Sequence, residues 1–378
     1  MALPYTVACY YFPNYHVDPR NEAAHGPGWT EWDLVRRAEP RYPGHRQPRT
    51  PLWGYENEAD PTVMARKIAA AADHGISAFI FDWYYYDDGL YLERALEQGY
   101  LGAPNNDRCQ FALMWANHDW VNIHPAKLHT PPALQFPGAV TRDTFDRMTD
   151  YCISHYFQHP SYWRINGCPY FSVYELSRLV ECLGGVAATR RALDDFRAKA
   201  VAAGLPGLHL NAVLWSVQLL PGEQAVSSPA ELLAALGFDS IGSYVWVHHV
   251  ALDKFPETPY DRALARAEAH WGETARAFLL PYHPNVTMGW DASPRTVQSD
   301  RYLNVGYPFM PTLSGNTPAA FREALLRARS FLDNQEHTHR VLTLNAWNEW
   351  TEGSYLEPDT EYGMAYLKAI RDVFGVGR

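Results

Sequence analysis

The feature of this 378-residue chain that most limits its fold is an alternation of strand-length apolar runs with segments of helical period. The apolar runs predict eight strands, at residues 7–12, 78–83, 111–115, 170–174, 208–214, 240–246, 277–282 and 341–347. The amphipathic segments predict eight helices, at residues 61–74, 91–100, 144–157, 187–203, 229–236, 260–271, 318–333 and 362–374. Several of these helices begin with Asp, Ser or Thr before Pro, which is typical of helix N-termini.

Eight strands alternating with eight helices predict an α/β fold, a single (β/α)8 TIM barrel over residues 1–378. A doubly wound open sheet is the alternative, but it normally has a glycine-rich turn after the first strand, where residues 10–14 here read Tyr-Tyr-Phe-Pro-Asn. The predicted loops after strands 1, 3 and 7, at residues 13–60, 116–143 and 283–316, are unusually long. In a barrel these loops share the carboxyl-terminal face, where active sites lie.

Composition excludes several classes of protein. The net charge is −10 and there is no basic run, so nucleic acid is not an expected partner. No stretch approaches about 18 consecutive apolar residues, so no membrane span is predicted. The five cysteines are odd in number and lack a Cys-x-x-Cys motif, which indicates neither a disulfide framework nor a zinc site. The chain opens Met-Ala-Leu-Pro and enters an apolar strand directly, so a cytoplasmic location is expected unless a leader has been removed.

Tryptophan is abundant, with 13 residues, and most of them cluster in the predicted loops and strand ends. Eight follow or end predicted strands: Trp83, Trp115, Trp120, Trp215, Trp246, Trp290, Trp347 and Trp350. Trp29, Trp32 and Trp53 lie in the first long loop. Sugar rings present apolar C–H faces beside hydroxyl groups, so aromatic faces together with Asp, Asn and His side chains suit a carbohydrate partner. The alternative is that these indoles only fill the top of the barrel.

Polar and aromatic residues that follow the strands are the candidate substrate-binding residues. They are Tyr11, His16, Asp82, Trp83, Tyr84, Trp115, Asn117, His118, Tyr244, Trp246, His283, Trp290, Asp291, Trp347 and Asn348. Asp82 could bind hydroxyl groups or act as a catalytic carboxylate. His16, His118 and His283 have no spacing typical of metal ligands, so neither a metal nor a cofactor is expected. The sequence also has no Gly-x-Ser-x-Gly motif of a serine hydrolase.

Two glutamates three residues apart, Glu349 and Glu352, follow the last predicted strand in the segment Asn-Glu-Trp-Thr-Glu-Gly. At a barrel mouth, burial keeps one carboxyl group protonated while a neighbour stays charged, as the cleavage of a glycosidic bond requires. Glutamates at this spacing are common on protein surfaces. Their position at a strand end, beside Trp347 and Trp350, favours the catalytic interpretation.

The order of motifs along nearly the whole chain resembles that of bacterial WbsX-like proteins, which are relatives of the glycoside hydrolase family 99 endo-α-mannosidases. The motifs are YYFPNYH at residues 10–16, GWTEW at 28–32, GHRQP at 44–48, WAN at 115–117, GWD at 289–291 and NAWNEW at 345–350. The resemblance implies a (β/α)8 barrel, in agreement with the strand count. One departure follows WAN, where His118-Asp119-Trp120 replaces the usual Glu-Asn in a loop expected to line sugar subsites.

The resemblance also implies a mechanism. Glu352 would be the general acid/base that protonates the leaving oxygen, and Glu349 would assist the substrate's own 2-hydroxyl as it attacks C1 to form a 1,2-anhydro sugar. This route requires a 2-hydroxyl trans to the leaving group, as in α-mannosides and α-rhamnosides, and gives net retention. We therefore predict a metal-independent glycoside hydrolase acting on an oligosaccharide or polysaccharide. A glycosyltransferase of polysaccharide assembly, which lacks support from an Asp-x-Asp motif here, and a non-catalytic carbohydrate-binding barrel are the alternatives.

Overall fold

The structure is a computed structural model that describes residues 5–216, 219–220, 222–224, 226–336 and 339–375. Parallel strands form one nearly closed barrel surrounded by helices, which confirms the predicted TIM barrel. We number the barrel strands β1 (Tyr5–Tyr11), β2 (Ala78–Tyr86), β3 (Gln110–Trp115), β4 (Cys168–Val173), β5 (His209–Val213), β6 (Ser240–Gly242), β7 (Tyr282–His283), β8 (Asn285–Thr287) and β9 (Arg340–Asn345).

The barrel closes where β7 and β8 share one position in the ring. β7 pairs with β6, and β8 pairs with β9, while Pro284 alone separates β7 from β8. Proline has no N–H group to donate, which interrupts the strand at this residue. The Pro284 carbonyl accepts a hydrogen bond of 2.9 Å from the amide of Thr343 on β9. The nine short strands therefore fill the eight positions of a (β/α)8 barrel.

The predicted seventh strand, at residues 277–282, is wrong in its position. The preceding helix continues to Ala277, because its inward face stays apolar and buries Trp271 and Thr274. The apolar residues that follow it lie on a connecting segment where Leu279 is exposed, and the strand begins only at Tyr282. The predicted sixth strand also ends early, at Gly242.

The helices are α1 (Pro19–His25), α2 (Trp32–Arg37), α3 (Pro61–Asp73), α4 (Arg142–Tyr151), α5 (Leu176–Cys182), α6 (Val186–Ala202), α7 (Pro229–Leu236), α8 (Tyr260–Ala277), α9 (Pro318–Asp333) and α10 (Ala365–Phe374). Asp60, Thr141 and Thr317 cap α3, α4 and α9 by accepting hydrogen bonds from backbone amides of the first turn. Ala95–Tyr100 and Cys152–Phe157 are π-helical. The helix predicted at 91–100 is shorter than expected, because it begins only at Ala95.

Three long segments cover the carboxyl-terminal end of the barrel and position the site. The segment after β1 contains α1 and α2, and the segment after β3 contains the paired strands Trp120–Val121 and Leu134–Phe136. The segment after β8 contains the 3-10 turn Ser293–Arg295 and the strand Thr312–Ser314, which pairs with Glu257–Pro259. Further short elements are Gly89–Tyr91, Arg164–Ile165, Trp246–His248, Asn348–Glu349, Trp350–Glu352 and Ser354–Tyr355.

Within the described ranges, no helix is both long and apolar enough to cross a membrane. The cysteines there are free thiols, with Cys9, Cys109 and Cys152 buried. The cytoplasmic location stays a prediction.

A buried charged network ties α3 to the chain after β9. Lys67 on α3 is 1% exposed, and its Nζ lies 2.6 Å from an oxygen of Glu357 and donates to the Tyr11 hydroxyl at 3.1 Å. Glu357 also accepts hydrogen bonds from the indole nitrogens of Trp347 at 2.9 Å and Trp350 at 2.7 Å. Trp347 precedes both candidate catalytic glutamates in sequence and Trp350 lies between them, so this network braces the segment that carries them.

We expect the substitution Lys67→Ala to lower the free energy of unfolding by about 3–5 kcal/mol, because it leaves the buried carboxylates of Glu357 and Glu58 without their cation. Denaturant-induced unfolding measures the change. The control Arg327→Ala removes an exposed arginine that pairs with Glu323, and we expect it to cost less than about 1 kcal/mol. Equal losses in the two variants would contradict the role of Lys67.

Candidate active site

A pocket of about 630 Å³ opens at the carboxyl-terminal end of the barrel strands. Seven residues predicted from sequence line it: Asp82, Tyr84, His118, Tyr244, Trp290, Glu349 and Glu352. Trp120, from the segment in which this chain departs from the WbsX-like pattern, lines it as well. The pocket therefore brings together both predicted catalytic glutamates with aromatic and polar side chains.

The two glutamates are carried by a tight hairpin after β9. Asn348–Glu349 pairs with Ser354–Tyr355, and the turn Trp350–Glu352 between them ends at Gly353. Gly353 has φ +64°, and a Cβ atom there would lie 2.6 Å from the Cβ of Asp291, so the turn requires glycine. The Asp291 amide donates to the Glu352 carbonyl at 2.5 Å. The segment Asn-Glu-Trp-Thr-Glu-Gly thus folds so that both carboxylates reach the same pocket.

Arg295 joins the two glutamates. Its Nη1 donates to Oε1 of Glu352 at 2.5 Å, and its Nη2 donates to Oε2 of Glu349 at 3.1 Å. Nε of the same guanidinium donates to Glu31 at 2.9 Å and to the hydroxyl of Thr351 at 2.9 Å. Arg295 is only 5% exposed, and it was not identified from the sequence, where nothing marks an arginine four residues after Asp291 as a site residue.

Two tyrosines complete the contacts of the carboxylates. The Tyr307 hydroxyl donates to Oε1 of Glu352 at 2.7 Å. The Tyr244 hydroxyl lies 2.8 Å from Oδ2 of Asp82 and 3.3 Å from Oε1 of Glu349, so it connects these two acids. The sequence predicted Tyr244 and Asp82, but it did not indicate Tyr307, which lies deep within the long segment after β8.

Burial sets the protonation of the acidic groups. It raises the pKa of Glu349 well above its ordinary value, an effect that the charge of Glu352 increases and Arg295 opposes. Burial also raises the pKa of Glu352, against Arg295 and the Tyr307 hydrogen bond. The pKa of Asp82 is raised by burial as well, although the hydrogen bond from Tyr244 opposes this. The pocket therefore favours the protonated forms of these acids more than water does.

Glu31 behaves differently from these acids. Burial alone would raise the pKa of Glu31, but the charge of Arg295 and the hydrogen bonds from Thr351 and Arg295 outweigh it and hold that pKa below its ordinary value. Glu31 lies within the GWTEW motif, which was noted in the sequence without a role for this residue. Its carboxylate is the permanent partner of Arg295 inside the protein.

Histidines on the wall of the pocket are neutral at neutral pH. Burial lowers the pKa of His124 and of His248 to about 3, and it also lowers the pKa of His118. Among the described residues, several buried atoms of the pocket residues have no hydrogen-bond partner: Asp82 Oδ1, His124 Nδ1, His248 Nδ1 and Trp290 Nε1. Unpaired buried polar atoms are costly, so these atoms are suited to bind the hydroxyl groups of a ligand.

Other predicted tryptophans lie in the protein framework and not on the pocket wall. The indole nitrogens of Trp115, Trp246 and Trp347 donate to the Tyr85 carbonyl, the Asn285 carbonyl and the Glu357 carboxylate. Trp83 is buried against Tyr85 and Tyr156. Of the 13 tryptophans, all of which the structure describes, two line this pocket, Trp120 and Trp290. The interpretation of the whole set as one sugar-binding surface is therefore too broad.

Several predicted polar residues are also engaged within the framework. The Tyr11 hydroxyl donates to Glu58 at 2.9 Å, and His16 Nδ1 lies 3.3 Å from the other oxygen of Glu58. The side chain of Asn117 exchanges two hydrogen bonds of 2.7 Å with the backbone of Glu175. Asn348 does the same with the backbone of Phe12, at 2.7 and 2.8 Å. His283 is buried in the barrel, 6.1 Å from the ring of Tyr170. These contacts join the loops that surround the pocket.

Asp291 lies behind the pocket wall, in a second, polar cavity bounded by the GHRQP segment. Its Oδ2 lies 2.8 Å from both His45 Nε2 and Gln47 Nε2, and its Oδ1 accepts from the Ser293 amide at 3.1 Å. Burial opposes ionisation, but these hydrogen bonds lower the pKa of Asp291 to about 2. Asp291 thus anchors the GHRQP segment beside the hairpin that carries Glu349 and Glu352. In the described parts of the chain, no group of three or more His, Cys, Asp or Glu side chains could hold a metal ion.

The fold is shared with glycoside hydrolases of the TIM-barrel class. It is similar to a solved structure described as a glycoside hydrolase-like protein, with a TM-score of 0.63 and 16% identity, over 99% of this chain and 95% of that one. It is also similar to the GH99 endo-alpha-mannosidase from Bacteroides thetaiotaomicron, with a TM-score of 0.54 and 14% identity, over 99% of this chain and 97% of that one.

The chain belongs to the family described as Glycosyltransferase WbsX, whose model matches residues 7–370. It is 29% identical over 373 residues to the uncharacterized protein WxcX of Xanthomonas campestris pv. campestris strain B100. That match includes 98% of this chain and 49% of WxcX, so the chain spans about half the length of this relative. WxcX of the strain ATCC 33913 is likewise 29% identical, over 383 residues. The predicted WbsX resemblance is confirmed.

We expect Asp291→Asn to destabilise the protein by about 2 kcal/mol at neutral pH, because the folded state lowers this pKa from 3.8 to about 2. A lowered carboxyl pKa stabilises the folded state above pH 4, and this contribution is lost as the pH falls towards 2. Unfolding measured between about pH 2 and pH 7 should therefore show the two proteins converging in acid. The control Asp372→Asn, at a half-exposed position beside Arg371, should show no such convergence.

Proposed function

We propose that this protein is a retaining glycoside hydrolase that cleaves α-linked manno-configured sugars, mannosides or rhamnosides, in an oligosaccharide or polysaccharide. The observation that carries the proposal is the pair of buried glutamates, Glu349 and Glu352, facing one pocket and joined by Arg295. Their chemistry requires neither a metal nor a cofactor.

Cleavage begins when Glu352 donates its proton to the glycosidic oxygen, so that the bond from C1 to the leaving group breaks. At the same time Glu349 takes the proton of the substrate's 2-hydroxyl, and the 2-oxygen attacks C1 to form a 1,2-anhydro sugar. Water then attacks C1 and gives a proton to the Glu352 carboxylate, while Glu349 returns its proton to the 2-oxygen. Two inversions at C1 give net retention, and both glutamates end in their starting state.

The shared location of the glutamates supports participation by the 2-hydroxyl. In the usual retaining scheme, two carboxylates flank the glycosidic bond, and one of them attacks C1. Here both acids come from one hairpin, and a single guanidinium holds them together. With both acids in one pocket, one can protonate the leaving oxygen while the other takes the proton of the 2-hydroxyl, which lies trans to it on the ring.

The lining of the pocket supports a sugar as substrate. Trp120, Trp290 and Tyr84 supply aromatic surface, and Asp82, His124 and His248 offer polar atoms without partners among the described residues. Aromatic faces pack against the C–H face of a pyranose, and the polar atoms exchange hydrogen bonds with its hydroxyl groups. Burial raises the pKa of the acids, which favours the retention of a proton by one of them, as general acid catalysis needs.

A glycosyltransferase of polysaccharide assembly is the second candidate, favoured by the description of the family to which the chain belongs. Such an enzyme would transfer a sugar to an acceptor hydroxyl instead of water. Calorimetry with sugar nucleotides distinguishes the two, because a transferase binds its donor tightly and a hydrolase does not. Binding of mannose- or rhamnose-containing glycans without any cleavage would instead favour a non-catalytic carbohydrate-binding barrel.

We expect Glu352→Gln and Glu349→Gln each to lower kcat by about 10²- to 10⁴-fold, because each removes one proton transfer. Turnover of a panel of α-mannosides and α-rhamnosides, followed by product chromatography, measures this. Glu323→Gln, at an exposed position on α9, is the matched control and should retain full activity. Full activity of Glu352→Gln would refute the acid/base assignment.

The second prediction concerns the substrate itself. A substrate whose 2-hydroxyl is removed or methylated cannot form the 1,2-anhydro sugar, so the wild-type protein should not cleave it while still binding it. Nuclear magnetic resonance of the first-formed product from an intact substrate should show retention at C1. Normal turnover of the 2-deoxy or 2-O-methyl substrate, or inversion at C1, would exclude this mechanism.

A further inference from the structure

The pocket contains several acids and one permanent cation among the residues that the structure describes. Arg295 is 5% exposed and makes hydrogen bonds or ion pairs with Glu31, Glu349 and Glu352. Its guanidinium also lies 5.3 Å from the ring centre of Phe12, which covers one of its faces. A single positive charge cannot balance three carboxylates, so the group as a whole retains protons.

The three glutamates contact different nitrogens of the Arg295 guanidinium. Glu31 holds Nε and Nη2 of the guanidinium and also accepts from Asn14 at 2.6 Å, while the Thr351 hydroxyl donates to it. These donors stabilise the ionised form of Glu31. The remaining N–H groups of Nη1 and Nη2 donate to Glu352 and Glu349. These two glutamates therefore share the part of the guanidinium charge that Glu31 does not neutralise.

The two oxygens of Glu352 are not equivalent. Oε1 accepts from Arg295 at 2.5 Å and from the Tyr307 hydroxyl at 2.7 Å, whereas Oε2 has no hydrogen bond with any described residue. An oxygen that already accepts two donors has no room for a proton. A proton on Glu352 therefore resides on Oε2, where a bound ligand can receive it.

The two oxygens of Glu349 are both engaged. Oε2 accepts from Arg295 at 3.1 Å, and Oε1 lies 3.3 Å from the Tyr244 hydroxyl, which is closer to Asp82. The longer distances show that Glu349 is held less tightly than Glu352. Other titratable groups around the pair are Tyr15, Glu31, Asp82, Tyr84, His124, Tyr174, Glu223, Tyr244 and Tyr307.

We propose that Arg295 is the positioning residue of the glutamate pair: it binds both carboxylates at once and orients Glu352 so that Oε2, the oxygen without a donor, is the one that carries a proton into the pocket. The use of this proton for glycosidic cleavage rests on the proposed function. The placement of the proton is a property of the free protein, so it is tested without a substrate.

The test is a titration of the two glutamates by nuclear magnetic resonance, with ¹³C at the glutamate carboxyl carbon. The Glu349→Gln and Glu352→Gln variants assign the two signals. In Arg295→Met we expect both titration midpoints to rise by more than about one pH unit, because an adjacent cation lowers a carboxyl pKa by about one to three units. Arg49→Met removes a partly buried arginine that pairs with Glu361 away from this pocket, and it should leave both midpoints unchanged.

Two further variants keep the proposal testable if Arg295→Met does not fold. Tyr307→Phe removes one donor from Oε1 of Glu352, so the midpoint of Glu352 alone should rise. Arg295→Lys keeps the charge on a single nitrogen, which cannot occupy the positions of both Nη1 and Nη2, so one of the two midpoints should rise. Unchanged midpoints in Arg295→Met, or in both Arg295→Lys and Tyr307→Phe, overturn the proposal.

The result is independent of whether the protein cleaves sugars. Midpoints that move as expected in a protein without turnover would support the role of Arg295 and refute the proposed function. Turnover by the wild type together with unchanged midpoints would support the proposed function and refute the role of Arg295.

Discussion

Burying a carboxylate costs several kcal/mol of lost hydration unless a cation and hydrogen bonds replace the water, and this chain buries Glu31, Glu349 and Glu352 side by side. The guanidinium of Arg295 binds all three acids, and the protons that the group retains offset the negative charge that one cation cannot balance. Its planar fork spreads five N–H donors over three nitrogens, whereas a lysine offers three donors from a single nitrogen. None of the three acids lies in the same segment as Arg295. Glu31 lies in the segment after β1, Glu349 and Glu352 lie in the hairpin after β9, and Arg295 lies in the segment after β8. The packing of these segments around the pocket therefore depends on this ion cluster.

The barrel could be predicted from the sequence because strand periodicity and helix caps are local signals. The apolar runs that became β1, β3 and β9 each precede a polar segment, and Asp60 and Thr317 mark the starts of α3 and α9. The seventh strand could not be located this way. Its two pieces contain only two and three residues on either side of Pro284, while the more apolar stretch before them lies outside the barrel.

The site was predictable only in part. Glu349 and Glu352 lie in one short segment, so a motif and its place at a strand end identify them. Arg295 and Tyr307 come from the long segment after β8, and only the folded chain brings them to the glutamates. The tryptophans show the opposite case, in which residues predicted for the site lie outside it. Sequence proximity to a strand end does not fix which way an indole points, and Trp115 and Trp347 point into the framework, where their N–H groups find buried acceptors.

The anchoring of Trp347 and Trp350 to Glu357 has a consequence for the chemistry of the pocket. These indoles fix the hairpin from behind through a carboxylate that Lys67 in turn neutralises. The glutamates between and beside them therefore have little freedom to reorient when charge develops on a substrate. In the proposed glycosidase reaction, polar groups that are already oriented would stabilise such charge without rearranging, so the reorganisation energy would be spent once, during folding, and not at every cycle.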